Sequence, residues 1–413
     1  MGQKLIINIR QLVGIRQENK LLRGRELAQL PVIENAFVVI EDGVIAKYGE
    51  MKDVDRATFS IQHKTDAAGK FVLPCWCDSH THLVFAASRE EEFVDKIKGM
   101  SYADIAAKGG GILNSAKKLN DATEDELFNT AWKRLDEVSK LGTGAIEIKS
   151  GYGLSVDGEL KMLKVIRRLK ERSNLSIKST FLGAHAYPLE YKDDHQGYID
   201  RIINEMLPVI TGEKLADYID VFCETGFFSP EETETLCKAG MSYGLKPKIH
   251  ANQLSLSKGV ETGVKLNAIS VDHLETMDDH AINALAGSDT IGTLLPSAAF
   301  FLRMNYPPAR KLVDAGCAVA LASDYNPGSS PSGNMNLVVS MACMQMKMLP
   351  EEAINAATIN GAYAMELENE VGSIAIGRKA NLFITKPIPS LAYLPYSFGT
   401  NLVDKVMIKG EFI

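Results

Sequence analysis

Two histidines stand at a spacing that suits a metal ion. The apolar run Phe71–Cys77 leads through Asp78 to His80 and His82. Side chains two positions apart in a strand point the same way, so both imidazoles would leave the strand end on one face. Such pairs of nitrogens bind borderline-soft divalent ions. Because the chain has eight histidines, a pair of surface or capping histidines is the alternative.

Two residues much later in the chain complete a ligand set for one ion. His250 and Asp324 add a third nitrogen and a carboxylate to His80 and His82. Such a set leaves room for a water, whose pKa on a bound metal falls from about 15.7 toward 7. Asp324 could touch the metal, accept the water proton and later return it to a leaving nitrogen. We therefore predict hydrolysis at a metal centre.

Three further residues bear on the reaction. His273 could polarise a carbonyl or stabilise an oxyanion, with a histidine of the core as the alternative. Arg89, seven residues after His82, suits a substrate carboxylate, and pairing with Glu90–Glu92 is the alternative. Gln253 can hydrogen-bond a substrate heteroatom but cannot titrate. This weakens a ring-deaminase interpretation, since such enzymes commonly use a glutamate at about this position to move protons.

Several loops and one lysine have more than one interpretation. Tyr152 sits between glycines and could donate to substrate, stack on it, or simply pack a turn. The backbone amides of segment 324–331 could hold an anionic tail. The glycine-rich segment 107–111 is expected to be a mobile loop over the active-site mouth rather than a phosphate site. Lys149 could be carbamylated to bridge two metals, but a solvent-exposed or salt-bridged lysine is favoured.

The elements that must position these residues alternate between strand and helix. Helical patterns such as Asp157–Glu171 and Glu231–Tyr243 fill most of the intervals between eight strand-like apolar runs. The runs are 71–77, 144–148, 178–183, 219–223, 246–250, 268–272, 290–295 and 317–322. Eight strands that alternate with helices predict a (β/α)8 TIM barrel. In such a barrel, catalytic residues cluster at the carboxyl ends of the strands. The polar residues at or after these run ends are His80, His82, Lys149, His185, Glu224, His250, His273 and Asp324.

Both ends of the chain have a different, β-rich pattern. Residues 1–68 contain short strand-like runs and an Asp42-Gly43 hairpin signal, and residues 366–413 repeat this style. We predict one small β-sandwich domain assembled from 1–68 and 366–413, flanking a barrel at 69–365. The histidines with polar neighbours are expected at the surface: His63, His195 and His280.

Composition limits partners and location. The chain has 413 residues, of which 46% are hydrophobic and 23% charged, as in globular proteins. A net charge of -7 without a Lys/Arg cluster argues against nucleic acid and anionic membranes as partners. No stretch approaches the roughly 18–20 apolar residues of a membrane span. The six cysteines form no Cys-x-x-Cys pair, so we expect buried thiols in a reducing cytoplasm.

Motifs spread from residue 78 to residue 331 carry a resemblance to a known family. They are 78–86 with Ser88-Arg89, 98–102 with 109–112, 147–154, 180–186, 248–251, 272–275, 295–296 with 299–301, and 323–331. On these stretches the chain resembles the amidohydrolase superfamily, and within it the members that open the ring of imidazolone-propionate in histidine degradation. The first and last stretches together are quite specific, whereas His-x-His alone marks only the superfamily.

The resemblance implies the chemistry and the ligands. It implies zinc or iron at His80, His82, His250 and Asp324, with Asp324 and His273 in acid–base and electrostatic roles. The ring amide would be hydrolysed to N-formimidoyl-glutamate, and the enzyme would be a homodimer. The residues implied to bind substrate are Arg89, Tyr152, His185, Gln253, Asn326, Gly328 and Ser329. The sequence departs from the family where Asn252 replaces a familiar Asp and Gln253 stands where Glu also occurs. The alternatives are an aminohydrolase acting on a heteroaromatic ring and a metal-free binding scaffold.

Overall fold

The computed structural model describes residues 2–100 and 110–413. Residues 107–109 of the loop expected over the active-site mouth, and Ser101 and Tyr102 of the family motifs, therefore lie outside the described residues. The strands are β1 Lys4–Val13, β2 Val32–Glu41, β3 Val44–Glu50, β4 His63–Asp66, β5 Phe71–Pro74, β6 Trp76–Thr81, β7 Thr143–Lys149, β8 Ser176–Ala184, β9 Tyr218–Cys223, β10 Lys246–Ala251, β11 Ser270–His273, β12 Ile291–Leu294, β13 Val319–Leu321, β14 Leu382–Thr385, β15 Val403–Ile408 and β16 Glu411–Phe412.

Helices fill most of the intervals between the barrel strands. Those described are α1 Arg56–Phe59, α2 Glu90–Ile97, α3 Gly111–Asp121, α4 Glu124–Lys140, α5 Val156–Arg172, α6 His195–Arg201, α7 Leu207–Gly212, α8 Pro230–Ser242, α9 Gly259–Lys265, α10 Asp279–Ala286, α11 Pro296–Leu302, α12 Ala309–Asp314, α13 Met335–Met346, α14 Pro350–Ala357, α15 Ile359–Ala364 and α16 Tyr393–Tyr396. Short 3-10 turns lie at Gly24–Ala28, Met51–Asp53 and Leu189–Tyr191, and a π-helical turn at Ile202–Met206 joins α6 to α7. Reciprocal caps begin α4 at Thr123 and α8 at Ser229. In the described part of the chain, no helix is long and apolar enough to cross a membrane.

Strands β6 to β13 form one parallel sheet in chain order. The sheet closes where the His82 amide donates to the Tyr325 carbonyl at 2.9 Å and the Asp324 amide donates to the His80 carbonyl at 3.0 Å. Parallel strands that follow one another through helices, with the first and last joined, make a (β/α)8 barrel. The predicted fold class is therefore confirmed, and closure itself brings the carboxyl ends of the first and last barrel strands together.

One predicted strand is in fact two. The run 71–77 was expected to be the first barrel strand, but Phe71–Pro74 pairs with β1 and β14 outside the barrel. The Cys75 amide still donates to the Asn381 carbonyl, whereas the Trp76 amide donates to the Gly142 carbonyl at the start of β7. The backbone thus changes sheets between Cys75 and Trp76, while the apolar side chains continue without a break. Hydrophobicity alone could not show this change of partner.

The second sheet is built from both ends of the chain. Its order is β16-β15-β14-β5-β1-β2-β3, with β4 paired to β1. The expected Asp42-Gly43 hairpin joins β2 to β3, and both turn residues have positive φ, as a tight antiparallel turn requires. The domain boundaries at 68 and 366 stay a prediction. All six cysteines are free, and all but Cys343 are buried.

Candidate active site

Three histidines and one aspartate converge at the carboxyl ends of the barrel strands. His80 lies in β6, His82 just beyond it, His250 in β10 and Asp324 shortly after β13. The Nε2 atoms of His82 and His250 are 3.4 Å apart. Asp324 Oδ1 lies 3.6 Å from His80 Nε2 and 3.7 Å from His82 Nε2. All four side chains are buried, so the structure brings together the four residues that were predicted to be ligands.

The atoms that face one another suit a divalent metal ion. Ligand nitrogens of His80, His82 and His250 all lie within 4.8 Å of one another. His80 Nε2 is buried and has no hydrogen-bond partner within the described ranges. Three imidazole nitrogens and a carboxylate are a usual donor set for zinc and similar ions. A bound ion of this kind would offset the mutual repulsion of the nitrogen lone pairs. These residues therefore fit one divalent ion.

Two carboxylates behind the histidines fix the orientation of the rings. Asp272 Oδ2 lies 2.6 Å from His80 Nδ1, and Asp220 Oδ2 lies 2.9 Å from His250 Nδ1. A carboxylate at Nδ1 keeps the imidazole proton on that nitrogen, so the Nε2 lone pair is available on the other side of the ring. Both rings thus present Nε2 toward the shared centre.

Lys149 connects the carboxylates beneath the site. Its Nζ lies 2.6 Å from Glu147 Oε1, 2.8 Å from Asp220 Oδ2 and 3.5 Å from Asp272 Oδ2. Burial alone would lower the pKa of Lys149, but the Asp220 and Glu147 carboxylates outweigh it and raise that pKa above its usual value. Lys248 pairs with the other oxygen of Glu147. The expected salt-bridged state of Lys149 is confirmed.

His273 and Asp324 complete the centre in strained backbone. His273 has φ +90 and Asp324 has φ +55, in the left-handed region that non-glycine residues rarely adopt. Strain of this kind costs about 1–3 kcal/mol and collects at active sites. Glu275 Oε1 lies 3.3 Å from His273 Nδ1, and Ser329 Oγ donates to Asp324 Oδ2 at 3.0 Å. Ligand atoms of His80, His273 and Asp324 also lie within 4.8 Å of one another.

Burial and neighbouring charges shift the pKa values around the centre. Burial raises the pKa of Asp324, opposed by His273 and His250. For His273 burial favours the neutral ring, but the Glu275 carboxylate outweighs it and raises the pKa. Burial and the nearby His250 lower the pKa of His185 to about 3. Asp324 is therefore more ready to hold a proton than an exposed aspartate, and His185 is neutral at ordinary pH.

A cavity of about 710 Å³ opens beside the centre. Its wall is partly apolar, with Phe222, Phe227 and Phe301 among the lining residues. The imidazole of His185 stacks on that of His82, with ring centroids 5.3 Å apart, which joins the cavity to the cluster of buried histidines. The structure places in its lining all seven residues that the sequence suggested for substrate binding: Arg89, Tyr152, His185, Gln253, Asn326, Gly328 and Ser329.

The loop after β13 is organised by one asparagine. Asn326 Oδ1 accepts hydrogen bonds from the amides of Gly328 and Ser329, both at 2.8 Å. Asn326 Nδ2 donates to the Asp324 carbonyl and to Ser329 Oγ, both at 2.6 Å. The two amides expected to hold an anionic tail are thus engaged within the loop. A ligand carboxylate at this point would have to displace Asn326 Oδ1.

Glu159 in α5 holds the loop that carries Tyr152. Its buried carboxylate accepts from the amides of Gly151 at 3.0 Å, Gly153 at 2.7 Å and Leu154 at 3.0 Å. The three donors surround Tyr152, whose ring is buried in the cavity wall. The position of Tyr152 is therefore set by a carboxylate seven residues further along the chain.

Relatives with established names match the sequence of this chain along nearly its whole length. The chain is 57% identical over 410 residues to the imidazolonepropionase of Flavobacterium johnsoniae and 56% identical over 410 residues to that of Christiangramia forsetii, covering 99% of each chain in both comparisons. A profile of the amidohydrolase family matches residues 224–413.

The chain belongs to the imidazolonepropionase family.

A solved structure supports the fold independently. A crystal structure of a triazine hydrolase variant superimposes with a TM-score of 0.74, covering 100% of this chain and 94% of that chain at 14% identity. At that identity the likeness concerns the fold alone. This likeness agrees with the observed fold, in which a sheet from both termini flanks the barrel.

Several residues that position this imidazolonepropionase site were missed in the sequence. Glu147, Asp220, Lys248 and Glu159 received no role, yet all four are buried and ion-paired or hydrogen-bonded beneath the site. A signal existed for three of them, because a charged residue inside an apolar strand run is rarely buried without a partner. Glu159 had no such signal, since the exposed face of an amphipathic helix explains it equally well. The histidines expected at the surface are exposed: His63, His195 and His280.

Proposed function

We propose that the chain hydrolyses the ring amide of 4-imidazolone-5-propanoate to N-formimidoyl-L-glutamate. The carbon–nitrogen bond of the ring amide breaks, the water oxygen becomes part of a new carboxylate, and the nitrogen takes up a proton. The observation that carries this proposal is 57% identity over nearly the full length to a relative named imidazolonepropionase. The convergence of the four predicted ligands beside one cavity supports it.

The proposed cofactor is one divalent ion, zinc or iron, held by His80, His82, His250 and Asp324. A bound ion would act as a Lewis acid and lower the pKa of a water toward 7. The protein itself orients the ligand rings, since the Asp272 and Asp220 carboxylates keep the ring protons on the side away from the centre.

We assign the proton-transfer and electrostatic roles to Asp324 and His273. Asp324 accepts the proton of the attacking water and delivers it to the leaving ring nitrogen. His273, held by Glu275, stabilises negative charge that develops on the carbonyl oxygen.

Recognition of the substrate is assigned to the cavity residues. Arg89 is the cation we pair with the propanoate tail, since guanidinium binds carboxylate in a bidentate fork. Tyr152 and His185 lie beside His82, with ring centroids 5.8 and 5.3 Å from it, and would contact the substrate ring. Gln253 and the loop of Asn326, Gly328 and Ser329 line the remaining wall.

The finer points of assembly and location are part of the same proposal. We propose a homodimer in the cytoplasm, with no nucleic acid or membrane partner. The net charge of -7 and the free, mostly buried cysteines support this setting. The domain boundaries 1–68 with 366–413 and 69–365 are likewise proposed.

The test is an assay of purified protein with its metal content measured. We expect about one equivalent of zinc or iron and turnover of imidazolone-propionate. Guanine and cytosine serve as comparison substrates for the aminohydrolase alternative. Ammonia release from either base without turnover of imidazolone-propionate would refute the proposal, and protein without metal or turnover would favour a binding scaffold.

A further inference from the structure

Glu92 holds the guanidinium of Arg89 on one edge. Glu92 Oε2 accepts from Arg89 Nε at 2.9 Å and also from Arg89 Nη2. The Arg89 side chain is only 14% exposed and that of Glu92 only 12%, so water screens this ion pair weakly. A guanidinium has five N–H donors, and the bonds to Glu92 use two of them. Among residues 2–100 and 110–413, no other hydrogen bond engages the donors of Nη1 or the second donor of Nη2, and these donors can face a ligand.

The other oxygen of Glu92 is also engaged. Glu92 Oε1 accepts from the Gly111 amide at 3.0 Å, at the first residue of α3. The positive end of a helix favours a carboxylate at this point. Glu92 is thus anchored between a helix start and Arg89, and it cannot turn away without losing both contacts.

Gly328 bounds the guanidinium from a third direction. A Cβ at Gly328 would lie 2.4 Å from Arg89 Nη1, so the arginine is packed against the glycine backbone. Glu92 on one edge and Gly328 against Nη1 leave the guanidinium little freedom. A long arginine side chain otherwise loses rotamer freedom when a ligand immobilises it.

We propose that Glu92 is a positioning residue that orients Arg89 for the carboxylate tail of the substrate. This inference rests on the proposed function only in naming that tail. Glu92 does not touch the substrate. It fixes the guanidinium before binding. Ligand binding then does not have to order Arg89, and less conformational entropy is lost in the binding step. Glu92 therefore sets the preference for ring substrates that carry a carboxylate over rings that lack one.

Glu92 could instead compete with the substrate carboxylate for Arg89, and this role predicts the opposite change in KM. A carboxylate next to Arg89 also reduces its net positive charge. If that effect dominated, Glu92 would compete with the substrate, and removing its charge would tighten binding. The sign of the change in KM therefore separates positioning from competition.

The experiment compares Glu92→Gln with Glu91→Gln. Glu91 is exposed on the same helix and provides the matched control. Because the ligand must then order Arg89 itself, we expect the KM of Glu92→Gln for imidazolone-propionate to rise about two- to thirty-fold with kcat nearly unchanged. For the analogue in which a methyl group replaces the propanoate, kcat/KM should not change. An unchanged or lower KM, or an equal loss on both substrates, would overturn the inference.

A binding measurement keeps this inference separate from the proposed function. Calorimetric titration with glutarate, a free dicarboxylate, needs no turnover. Wild-type protein and Glu91→Gln should bind glutarate about two- to thirty-fold more tightly than Glu92→Gln, because Arg89 is already ordered in them. Thermal melting of each variant confirms that it is folded. Inactivity of the wild type on imidazolone-propionate would refute the proposed function alone, whereas equal glutarate binding by folded variants would refute the role of Glu92.

Discussion

We propose that one side chain at this site, Asp324, is both a metal ligand and the proton carrier. Asp324 Oδ1 faces two histidine nitrogens, while its Oδ2 accepts from Ser329 Oγ. The two oxygens therefore have different neighbours. An amide at this position could keep the ligand contact but could not accept a proton.

Replacing Asp324 by asparagine separates the two functions. Since proton transfer by a positioned group contributes about 10²–10⁴-fold, we expect kcat of Asp324→Asn to fall by that factor. Metal content, measured by mass spectrometry of the purified protein, should stay within about two-fold if the amide still ligates. Asp314→Asn, at an exposed position in α12, is the control. Full activity of Asp324→Asn would show that the proton goes elsewhere.

Charged side chains of the barrel strands, buried in the barrel interior, hold the histidines of the site in place. β7 contributes Lys149 and Glu147, β9 contributes Asp220 and β11 contributes Asp272. Lys149 offsets three carboxylates. Two of those carboxylates lie against the rings of His80 and His250, which are proposed metal ligands. Removing the lysine would leave buried carboxylates with too few cations.

Lys149→Met tests this network. Loss of one partner from a buried ion pair costs about 3–5 kcal/mol of stability. Disturbing the groups that orient metal ligands lowers metal affinity about 10–100-fold. Chelator competition measures the affinity, and guanidinium unfolding measures the stability. Lys140→Met, which breaks an exposed pair with Asp136, should lose at most about 0.5 kcal/mol and no metal affinity. Equal metal affinity in the two variants would exclude an orienting role for Lys149.

A helix residue fixes the loop that carries Tyr152. Glu159→Ala leaves the amides of Gly151, Gly153 and Leu154 without their acceptor. Unsatisfied buried donors cost about 1–3 kcal/mol each when water cannot replace the partner, so we expect at least about 2 kcal/mol of lost stability. We also expect a higher KM, measured by steady-state kinetics, because Tyr152 is no longer held. Glu171→Ala, at an exposed position of the same helix, is the control. Unchanged stability and KM in Glu159→Ala would contradict this account.

Element-level patterns explain which parts were predictable from sequence. Seven of the eight barrel strands fall within two or three residues of the apolar runs, and α5 at Val156–Arg172 matches its predicted helix. Residues just after strand ends were found because the barrel rule places chemistry there. Partners such as Asp220 for Lys149, 71 residues apart, depend on which strands become neighbours. The family resemblance implied that Asn326 binds substrate, but its bonds to the loop amides depend on a turn that no periodicity reveals.

At the scale of the whole molecule, the two sheets are continuous through Cys75. β5 ends in the terminal sheet at Pro74, and β6 begins the barrel at Trp76. The proposed metal ligands His80 and His82 follow within the same strand or directly after it. Loss of the terminal sheet would therefore release the strand that carries two of the four proposed ligands.

The junction is packed by aromatic rings. Trp76 is fully buried, and its ring centroid lies 5.0 Å from that of Phe383 in β14. Trp76 Nε1 donates to Asn336 Oδ1 at 3.2 Å, which ties the junction to α13 of the barrel. The terminal sheet and the barrel thus share one packed interface rather than a flexible connection.

Phe383→Ala should destabilise both sheets together. Removing a buried phenylalanine side chain costs about 3–5 kcal/mol, because transfer energy is lost and a cavity remains. Since Trp76 belongs to the barrel and Phe383 to the terminal sheet, we expect one cooperative transition at lower guanidinium concentration. Circular dichroism, tryptophan fluorescence and release of the metal should report the same midpoint. Phe412→Ala, at a partly exposed position in β16, should shift that midpoint much less. Two separate transitions, with the metal retained after the first, would show that the terminal sheet unfolds without disturbing the barrel and its ligands.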